Sequence, residues 1–312
     1  MKIFIELPTW LGDTIMATPA IENILKKYPN AKITLFGSFI STEALKNHKN
    51  IEKVIQDKTR KKPFRIFHLI KEAKNMEKFD MAFSFRSSFT SKILLFFLKS
   101  DKKFQYDKKA FKGHQVEKYN SFINKSLNTN FPPQKLTLPI PKKNSQKPLL
   151  GINPGATYGS AKRWYPEEFA KVAIALSKKY DILIFGGPAE TNIAKDIEEE
   201  LKKAGVKNYL NLAGKTTITE LIAHISSLSL FITNDSGPMH IASAYQIPTI
   251  AIFGPTKSDE TSPWMNKKAF IIKKDLPCAP CMKRVCPIKT HECMKSIKSE
   301  DVLKLIEKIN LI

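Results

Sequence analysis

Short apolar runs alternate with stretches of helical spacing along the first half of the chain. The runs at 2–7, 31–37 and 80–85 are rich in β-branched and aromatic residues, which is typical of buried strands. Between them, residues 15–28 repeat apolar positions at the spacing of one helix face, and the basic stretch near 63–77 predicts a further helix. Strand, helix, strand is the order of parallel βαβ units, so the first half is predicted to be an α/β domain.

The alternation stops at residues 131–148, which contain five prolines and no glycine, and then begins again. That composition is typical of a linker. Further strands are predicted in PLLGINPG, DILIFGG, SLFIT and TIAIFG, and we take the last two as the last clear strands of the chain. We therefore predict an α/β chain of two Rossmann-like domains with parallel sheets, residues 1–145 and 146–312.

Helix ends in the second half carry recognisable signals. A helix over 166–180 opens with proline and two glutamates, which suit a first turn, and one over 189–205 is stopped by its final glycine. Thr217 and Glu220 have the spacing of a capping box before the next helix. Residues 299–312 form an amphipathic terminal helix, which is free to pack back on the N-terminal domain.

The composition is ordinary except for its charge. The 312 residues are 42% hydrophobic and 26% charged, as in a soluble globular protein, but the formal net charge is +22. Such a charge favours nucleic acid, an anionic membrane or an acidic substrate as partner, unless it only reflects lysines scattered over solvated faces. No signal-peptide apolar region is visible, and the longest apolar run, 93–98, is too short to span a bilayer. We expect a cytoplasmic protein that at most touches a membrane.

Four cysteines, Cys278, Cys281, Cys286 and Cys293, lie close together near the C-terminal end, with His291 among them. Disulfides are rare in cytosolic proteins, so the spacing leaves two interpretations, a structural zinc site or reduced thiols packed in a loop. We favour the thiols, because the spacing is irregular for zinc. Any metal here is expected to be structural, with activity that survives EDTA.

Unusual residues gather where the predicted strands end, which is where open α/β sheets bind ligands. The loop at 153–164 has two glycines followed by Lys162, a pattern that suits a phosphate cradle but also a plain surface loop. Glu190 follows the next strand, where a carboxylate can accept hydrogen bonds from ribose hydroxyls or favour the start of a helix.

The segment NDSGPMH, residues 234–240, leaves a buried strand and enters a helix near Pro238. Ser236 and Gly237 then present backbone N–H groups at a helix N-terminus, which is an anion site. Asp235 would repel that anion unless it binds a sugar hydroxyl or orients a donor. A helix needs only one N-cap residue, which would explain one polar residue of this segment. The additional polar residues favour a functional loop.

Gly12 and Asp13 follow the first predicted strand in PTWLGDT. Glycine permits a close approach of a ligand. Asp13 is either the N-cap of the next helix or a general base at the strand end.

Six segments, taken in order, resemble those of the ADP-heptose:lipopolysaccharide heptosyltransferases, glycosyltransferase family 9. They are LGDTIMATPAI, NPGA…AKRWYPEEFA, GGPAE, NLAGKTT, TNDSGPMHIASA and IAIFGPT. The resemblance runs from about residue 2 to the C-terminus. The segment LPCAPCMKRVCPIKTHECM and NDSGPMH resemble the second-heptosyltransferase branch in particular.

The resemblance implies a GT-B fold, with two facing Rossmann-like domains and a deep cleft between them. In this family the N-terminal domain binds the acceptor and the C-terminal domain binds the nucleotide sugar. The resemblance implies catalytic roles for Asp13, as general base, and Lys162, on the diphosphate. It implies donor contacts by Thr157, Lys162, Glu190, Lys215, Thr216, Asp235, Ser236, Gly237 and His240. At the strand ends of the first half, Gly12, Thr14, Arg86 and Ser87 are expected to contact the acceptor.

The implied reaction is inverting transfer of heptose from ADP-L-glycero-β-D-manno-heptose to a heptose of the lipopolysaccharide or lipooligosaccharide inner core. Transfer to Kdo or to another core heptose is the alternative within the family. No cofactor or divalent metal is expected, and no nucleic acid. The acceptor is anionic and lipid-anchored, so peripheral contact with the cytoplasmic face of the inner membrane follows, and KILLFFLK at 92–99 could serve it.

Two other classes remain as alternatives outside the family. The charge alone would suit a nucleic-acid or polyanion-binding protein, but no RNP, zinc-finger or helix-turn-helix pattern supports it. Two Rossmann-like halves would suit a nicotinamide oxidoreductase, but G-x-G-x-x-G is missing.

Overall fold

The chain forms two compact units, Met1–Ile140 and the remainder from Pro141 onward. The computed structural model describes residues 1–309, with only the backbone of Lys61. The division lies inside the segment whose composition predicts a linker.

The first unit is a five-stranded parallel sheet with strand order β3-β2-β1-β4-β5. Its elements are β1 (Lys2–Glu6), α1 (Leu11–Met16), α2 (Thr18–Lys27), β2 (Lys32–Gly37), α3 (Phe39–Leu45), β3 (Ile51–Gln56), α4 (Arg65–Asn75), β4 (Phe79–Ser84), α5 (Phe89–Phe97), β5 (Ser100–Gln105) and α6 (Gln115–Leu127). The order reverses between β1 and β4, which makes the loops after these two strands the binding position of this sheet.

The second unit is a six-stranded parallel sheet with strand order β11-β10-β9-β6-β7-β8. Its elements are β6 (Leu149–Asn153), α7 (Pro166–Leu176), β7 (Asp181–Ile184), α8 (Thr191–Lys203), β8 (Tyr209–Asn211), α9 (Ile218–Ser226), β9 (Leu230–Asn234), α10 (Gly237–Ala244), β10 (Thr249–Ile252), α11 (Ser258–Thr261), β11 (Ala269–Ile272), α12 (Glu292–Lys295) and α13 (Ser299–Lys308). Here the order reverses between β6 and β9.

The predicted alternation of strands and helices is confirmed, and the misses are edge strands. Among the described strands β5 (SDKKFQ) lies at the edge of its sheet, beside β4, and its exposed charged residues obscure the strand pattern. The prediction that TIAIFG is among the last strands is wrong, because β11 follows and pairs with β10. The capping box of Thr217 and Glu220 is present, with the Thr217 Oγ1 accepting from the Glu220 N–H at 3.2 Å.

The predicted linker has no described helix or strand, but its first part is not free. The Asn120 side-chain amide donates to the carbonyl of Phe131 at 2.8 Å. The N–H of Thr137 donates to the Thr18 hydroxyl at 3.0 Å. Residues 131–140 therefore pack on the first unit, in agreement with its end at Ile140.

The terminal helix packs into the core of the second unit. Val302 and Ile306 are buried in the same core as Phe169 of α7, and the N–H of Ser299 donates to Glu168 at 2.7 Å. The last residues of the predicted helix, 310–312, lie outside the described residues.

Among residues 1–309, no helix combines the length and the apolar composition that crossing a bilayer requires. The apolar run at 93–98 lies in α5 and at its end, where Leu94, Leu95 and Leu98 are buried and Phe96 is exposed.

Candidate functional site

The reversal between β6 and β9 brings the predicted phosphate-binding lysine and Asp235 together. Lys162 ends a short 3-10 turn after β6, and Asp235 is the first residue beyond β9. The Lys162 Nζ lies 2.5 Å from the Asp235 Oδ2, and the same oxygen accepts from the Thr256 hydroxyl at 2.7 Å. Both charged side chains are almost buried, so this is an ion pair held by the fold. Thr256 was not predicted.

Two asparagines fix the loops around this pair, and neither was predicted from the sequence. Asn234 donates to the carbonyl of Pro154 at 2.7 Å and accepts from the N–H of Trp164 at 3.0 Å. It therefore ties both ends of the loop that carries Lys162. Asn153, on the neighbouring strand, donates to the Ser236 hydroxyl at 3.1 Å.

The start of α10 lies where the sequence predicts a helix N-terminus. The helix begins at Gly237 with Pro238 in its first turn, and Ser236 occupies the N-cap position without a side-chain cap bond. The Asp235 carboxylate is engaged by Lys162 and Thr256, so capping does not account for its presence. A helix start with no acidic side chain in its first turn favours an anion. His240 is buried one turn further on.

Glu190 lies after β7, and only one of its two carboxylate oxygens has a hydrogen-bond partner within the described chain. The residue is only 7% exposed, and its Oε2 accepts from the N–H of Gly187 at 2.8 Å. Within the described chain its Oε1 is buried without a hydrogen-bond partner. The carboxylate lies against Gly155, where a Cβ would come within 2.2 Å of it. An orphaned buried acceptor beside a glycine loop suits a ligand hydroxyl.

Three further predicted donor residues lie on more open loops. Lys215 is exposed and donates to the carbonyl of Asn211 at 2.9 Å. Thr157 is exposed and Thr216 is half-buried. The structure gives them none of the fixed contacts that surround Lys162.

Asp13 in the first unit is not an N-cap. It lies in the first turn of α1, whose N-cap position is occupied by Trp10. Its carboxylate is close enough to Tyr119 to add to the effect of burial, which raises the pKa of that phenol well above its usual range. The capping interpretation is therefore excluded, and the general-base interpretation stays a prediction.

Thr14 corrects the predicted acceptor set. Its side chain is fully buried, and its hydroxyl donates to the carbonyl of Trp10 at 3.0 Å. This hydroxyl stabilises the turn from β1 into α1 and is not available to a ligand. Gly12 beside it is partly exposed.

Arg86 follows β4 and is anchored by a carboxylate that was not predicted. Glu6, at the end of β1, is 1% exposed, and its Oε1 lies 2.8 Å from the Arg86 Nη1. The hydroxyls of Ser84 and Ser91 donate to the same carboxylate at 2.5 and 2.9 Å. Burial raises the pKa of Glu6, and Arg86 opposes that rise. Ser87 is exposed beside it.

A second buried carboxylate gathers two more arginines after β3. The Asp57 Oδ2 lies 3.1 Å from the Arg65 Nη2 and 3.5 Å from the Arg60 Nε. Arg60 also donates to the Thr9 hydroxyl at 2.7 Å. Burial, with Arg86 as the next cause, lowers the pKa of Arg60, so the three guanidinium groups form one cluster. We name Arg60, Arg65 and Arg86 the arginine cluster.

The four cysteines are free; Cys278, Cys281 and Cys286 lie on the irregular loop that follows β11, and Cys293 lies in α12. A hydrogen bond from the N–H of His291, the main cause, lowers the pKa of Cys286. Burial raises the pKa of Cys293 to about 11. Among the described residues, no three His, Cys, Asp or Glu side chains are arranged around a common metal position.

Comparison with known proteins identifies the family. The sequence profile of glycosyltransferase family 9 (heptosyltransferase) matches residues 66–291. The chain is 45% identical to the lipooligosaccharide heptosyltransferase 2 of Campylobacter jejuni, with 97% of each chain covered. It is 28% identical to the enzyme of the same name in Haemophilus influenzae, with 88% of each covered.

Solved structures show the same fold. The E. coli ADP-heptose lps heptosyltransferase II superposes with a TM-score of 0.79 at 22% identity, covering 99% of this chain and 98% of that one. A glycosyl transferase family 9 protein from Veillonella parvula gives 0.81 at 21% identity, covering 98% and 96%. The predicted GT-B fold and the predicted family are confirmed, and the chain belongs to glycosyltransferase family 9, the heptosyltransferases.

Proposed function

We propose that this protein is an inverting heptosyltransferase of the second type, which moves heptose from ADP-L-glycero-β-D-manno-heptose to a heptose of the inner core. The observation that carries the proposal is the Lys162–Asp235 pair at the strand reversal of the second unit, beside the start of α10. The relatives named heptosyltransferase 2 support the choice of type.

The donor is bound by the second unit. The orphaned Glu190 oxygen accepts from a ribose hydroxyl, and the backbone N–H groups at the start of α10 receive the diphosphate. Asp235 holds a heptose hydroxyl and keeps Lys162 in place. Lys215, Thr216 and Thr157 contribute from their open loops on the nucleotide side, and His240 supports the sugar loop.

The chemistry is a single displacement. Asp13 accepts the proton of the acceptor hydroxyl, whose oxygen forms a bond to the anomeric carbon as the bond from that carbon to the diphosphate oxygen breaks. ADP leaves with the electron pair, and the configuration inverts. Lys162 and the helix start stabilise the charge that grows on the diphosphate, and one such preorganised donor is typically worth about 2.7–4 kcal/mol.

The acceptor is bound by the first unit. The inner core of the lipopolysaccharide acceptor is anionic. The arginine cluster offers planar, permanently charged donors for its carboxylate or phosphate groups. Gly12 and Ser87 are exposed enough to approach the same ligand.

The first unit also has a surface suited to a membrane. Phe64, Phe67 and Phe89 are 79%, 72% and 70% exposed, at the starts of α4 and α5. Aromatic side chains beside many lysines favour an anionic membrane interface. We therefore place the protein in the cytoplasm, in peripheral contact with the inner membrane. The wild-type protein should cosediment with anionic vesicles but not with neutral ones. The double variant Phe64→Ser with Phe67→Ser should cosediment less with anionic vesicles. Equal binding of the wild type and the double variant would contradict the membrane contact.

The proposed function is tested by incubating the protein with ADP-heptose and defined core acceptors that carry zero, one or two heptoses. Mass spectrometry of the products should show one added heptose on the acceptor that carries one. Addition only to the heptose-free acceptor would assign the first type, and addition only to the two-heptose acceptor the third. No addition to any acceptor would contradict the proposal.

A further inference from the structure

The half-buried ring of Tyr158 contacts two cations in the second unit, and only one of them belongs to the donor site described above. The Lys162 Nζ lies 4.8 Å from the centroid of this ring, and the guanidinium carbon of Arg284 lies 5.5 Å from the same centroid. Both distances fall in the range of cation–π contacts. We propose that Arg284, held against this ring, is a further donor-binding residue, which contacts the diphosphate of the nucleotide sugar. This assignment rests on the proposed function and adds to it a residue that was not predicted.

The segment that carries Arg284 is fixed on two loops of the donor site. On one side, the N–H of Ala161 donates to the carbonyl of Arg284 at 3.0 Å, and the Tyr158 hydroxyl donates to the carbonyl of Met282 at 2.8 Å. On the other side, the N–H of Met282 donates to the carbonyl of Pro255 at 2.8 Å. Residues 282–284 therefore bridge the loop that carries the lysine of the ion pair and the loop that follows β10.

A glycine allows the backbone of Arg284 to come this close. A Cβ on Gly159 would lie 2.2 Å from the Arg284 carbonyl oxygen and 2.9 Å from its Cα, which are distances that real side chains do not reach. Gly159 has extended backbone, with a φ of 161°, so close contact is the reason for glycine at this position. The Arg284 side chain thus starts from a fixed point beside the Tyr158 ring.

The donor site gains from a second cation because its lysine is already paired. The Lys162 Nζ lies 2.5 Å from the Asp235 Oδ2, so this pair presents little net charge to a ligand. The diphosphate of a nucleotide sugar is a dianion, and its negative charge grows as ADP leaves. Arg284 is exposed and forms no ion pair within residues 1–309, so its charge is available to that ligand. A guanidinium is planar and permanently charged, and its paired donors match phosphate oxygens.

The direct test is the ADP affinity of Arg284→Gln, measured by calorimetry. It should fall about 10-fold or more, because the variant loses a charge-assisted contact to the diphosphate. The matched control Lys283→Gln removes the same charge from the neighbouring exposed position and should stay within about 2-fold of the wild type. Adenosine lacks the diphosphate, so its affinity, measured by competition, should be the same in Arg284→Gln and the wild type. Thermal unfolding should also be unchanged, since the substitution keeps the backbone bond to Ala161.

Three outcomes would overturn the proposal. They are equal ADP affinity in Arg284→Gln and the wild type, an equal loss in Lys283→Gln, and a parallel loss of adenosine affinity in Arg284→Gln. In each of them a wild type that binds ADP and transfers heptose leaves the proposed function intact. A wild type that binds no ADP would contradict the proposed function together with this assignment.

The role of the ring is tested by combining Arg284→Gln with changes at Tyr158. Tyr158→Phe keeps the aromatic face and loses only the hydroxyl bond to Met282, so Arg284→Gln should cost as much ADP affinity in that background as in the wild type. In Tyr158→Leu the guanidinium is no longer held, and Arg284→Gln should cost clearly less. Equal costs in all three backgrounds would show that the ring does not position Arg284.

Discussion

The two strand reversals of this protein lie at equivalent positions in their sheets but are built differently. In the second unit, the paired charges Lys162 and Asp235 are themselves at the strand ends, and amide bonds hold the loops that carry them. In the first unit, the buried carboxylate Glu6 holds the almost buried Arg86, and the buried carboxylate Asp57 holds Arg60 and Arg65, which are partly exposed. Under the proposed function, the fixed pair would receive a diphosphate of constant shape, and the anchored arginines would receive a larger anionic oligosaccharide.

The largest effect is expected at Asp13, in the first unit. Asp13→Ala should lower kcat about 10²–10⁴-fold, the usual contribution of a general base. The matched control is Asp107→Ala, an exposed aspartate of the same unit, which should leave kcat within about 2-fold. The measurement is ADP release at saturating acceptor. A near-wild-type rate in the Asp13 variant would contradict the general-base role of Asp13.

Lys162→Ala tests the second unit and should affect both binding and turnover. The loss of one preorganised donor to the leaving diphosphate typically costs about 10²–10³-fold in kcat. Lys178→Ala, an exposed lysine that follows α7, is the control and should have no effect. Steady-state kinetics with varied ADP-heptose checks both. An unchanged kcat in the Lys162 variant would show that Lys162 does not stabilise the leaving diphosphate.

The buried anchor of the first unit is tested by unfolding. Arg86→Met leaves the Glu6 carboxylate buried without its cation, which should cost about 3–5 kcal/mol in the free energy of unfolding. Adding Glu6→Gln removes the stranded charge and should recover most of that loss. Urea unfolding of the three proteins measures it, and equal losses in the single and double variants would show that Arg86 does not act through Glu6.

The pH dependence of that variant has a definite sign. Burial raises the pKa of Glu6 in the folded state. The folded protein therefore holds this proton more tightly than the unfolded chain does, and the stability that protonation provides is lost as pH rises through the folded-state pKa. The deficit of Arg86→Met should be small in mild acid and should grow toward neutral pH. A deficit that is constant with pH would mean that Glu6 does not titrate there.

The smallest effect is expected at Glu190. Glu190→Gln keeps the shape but loses a charged acceptor, and a hydrogen bond to a charged group contributes about 1.5–3 kcal/mol, so affinity for ADP should fall about 10-fold or somewhat more. kcat should change little. Glu199→Gln, on α8 where it pairs with Lys195, is the matched control. Calorimetry measures the ADP affinity of both variants. Equal affinity in Glu190→Gln and Glu199→Gln would contradict a role of Glu190 in nucleotide binding.

The sequence allowed the fold to be predicted where local signals agree with tertiary packing. Prolines and glycines marked the ends of α7 and α8, and apolar runs marked the central strands. β5 was missed because its SDKKFQ pattern follows its place at the sheet edge, which only the assembled sheet defines. The return of α13 to α7 depends on a long-range contact from Ser299 to Glu168, which no periodicity encodes.

The site was predicted as far as strand-end loops identify it. Lys162, Asp235 and Glu190 stand out as charged residues beside predicted strands, the resemblance to the family implies their roles, and those roles stay predictions. Glu6 was missed because it ends an apolar run and reads as an ordinary strand terminus, although its partners come from β4 and α5. Thr14 belongs to the predicted acceptor set, whereas the turn uses its hydroxyl internally, a contact that the sequence does not encode.

The division of labour between the units is tested most directly by titrating ADP into the wild type, Asp13→Ala and Lys162→Ala in parallel by calorimetry. We predict that Asp13→Ala binds ADP within about 2-fold of the wild type while its turnover is lost. Lys162→Ala should bind ADP at least about 10-fold more weakly. Unchanged ADP affinity in the Lys162 variant, with weakened affinity in the Asp13 variant, would contradict the assignment of the donor to the second unit.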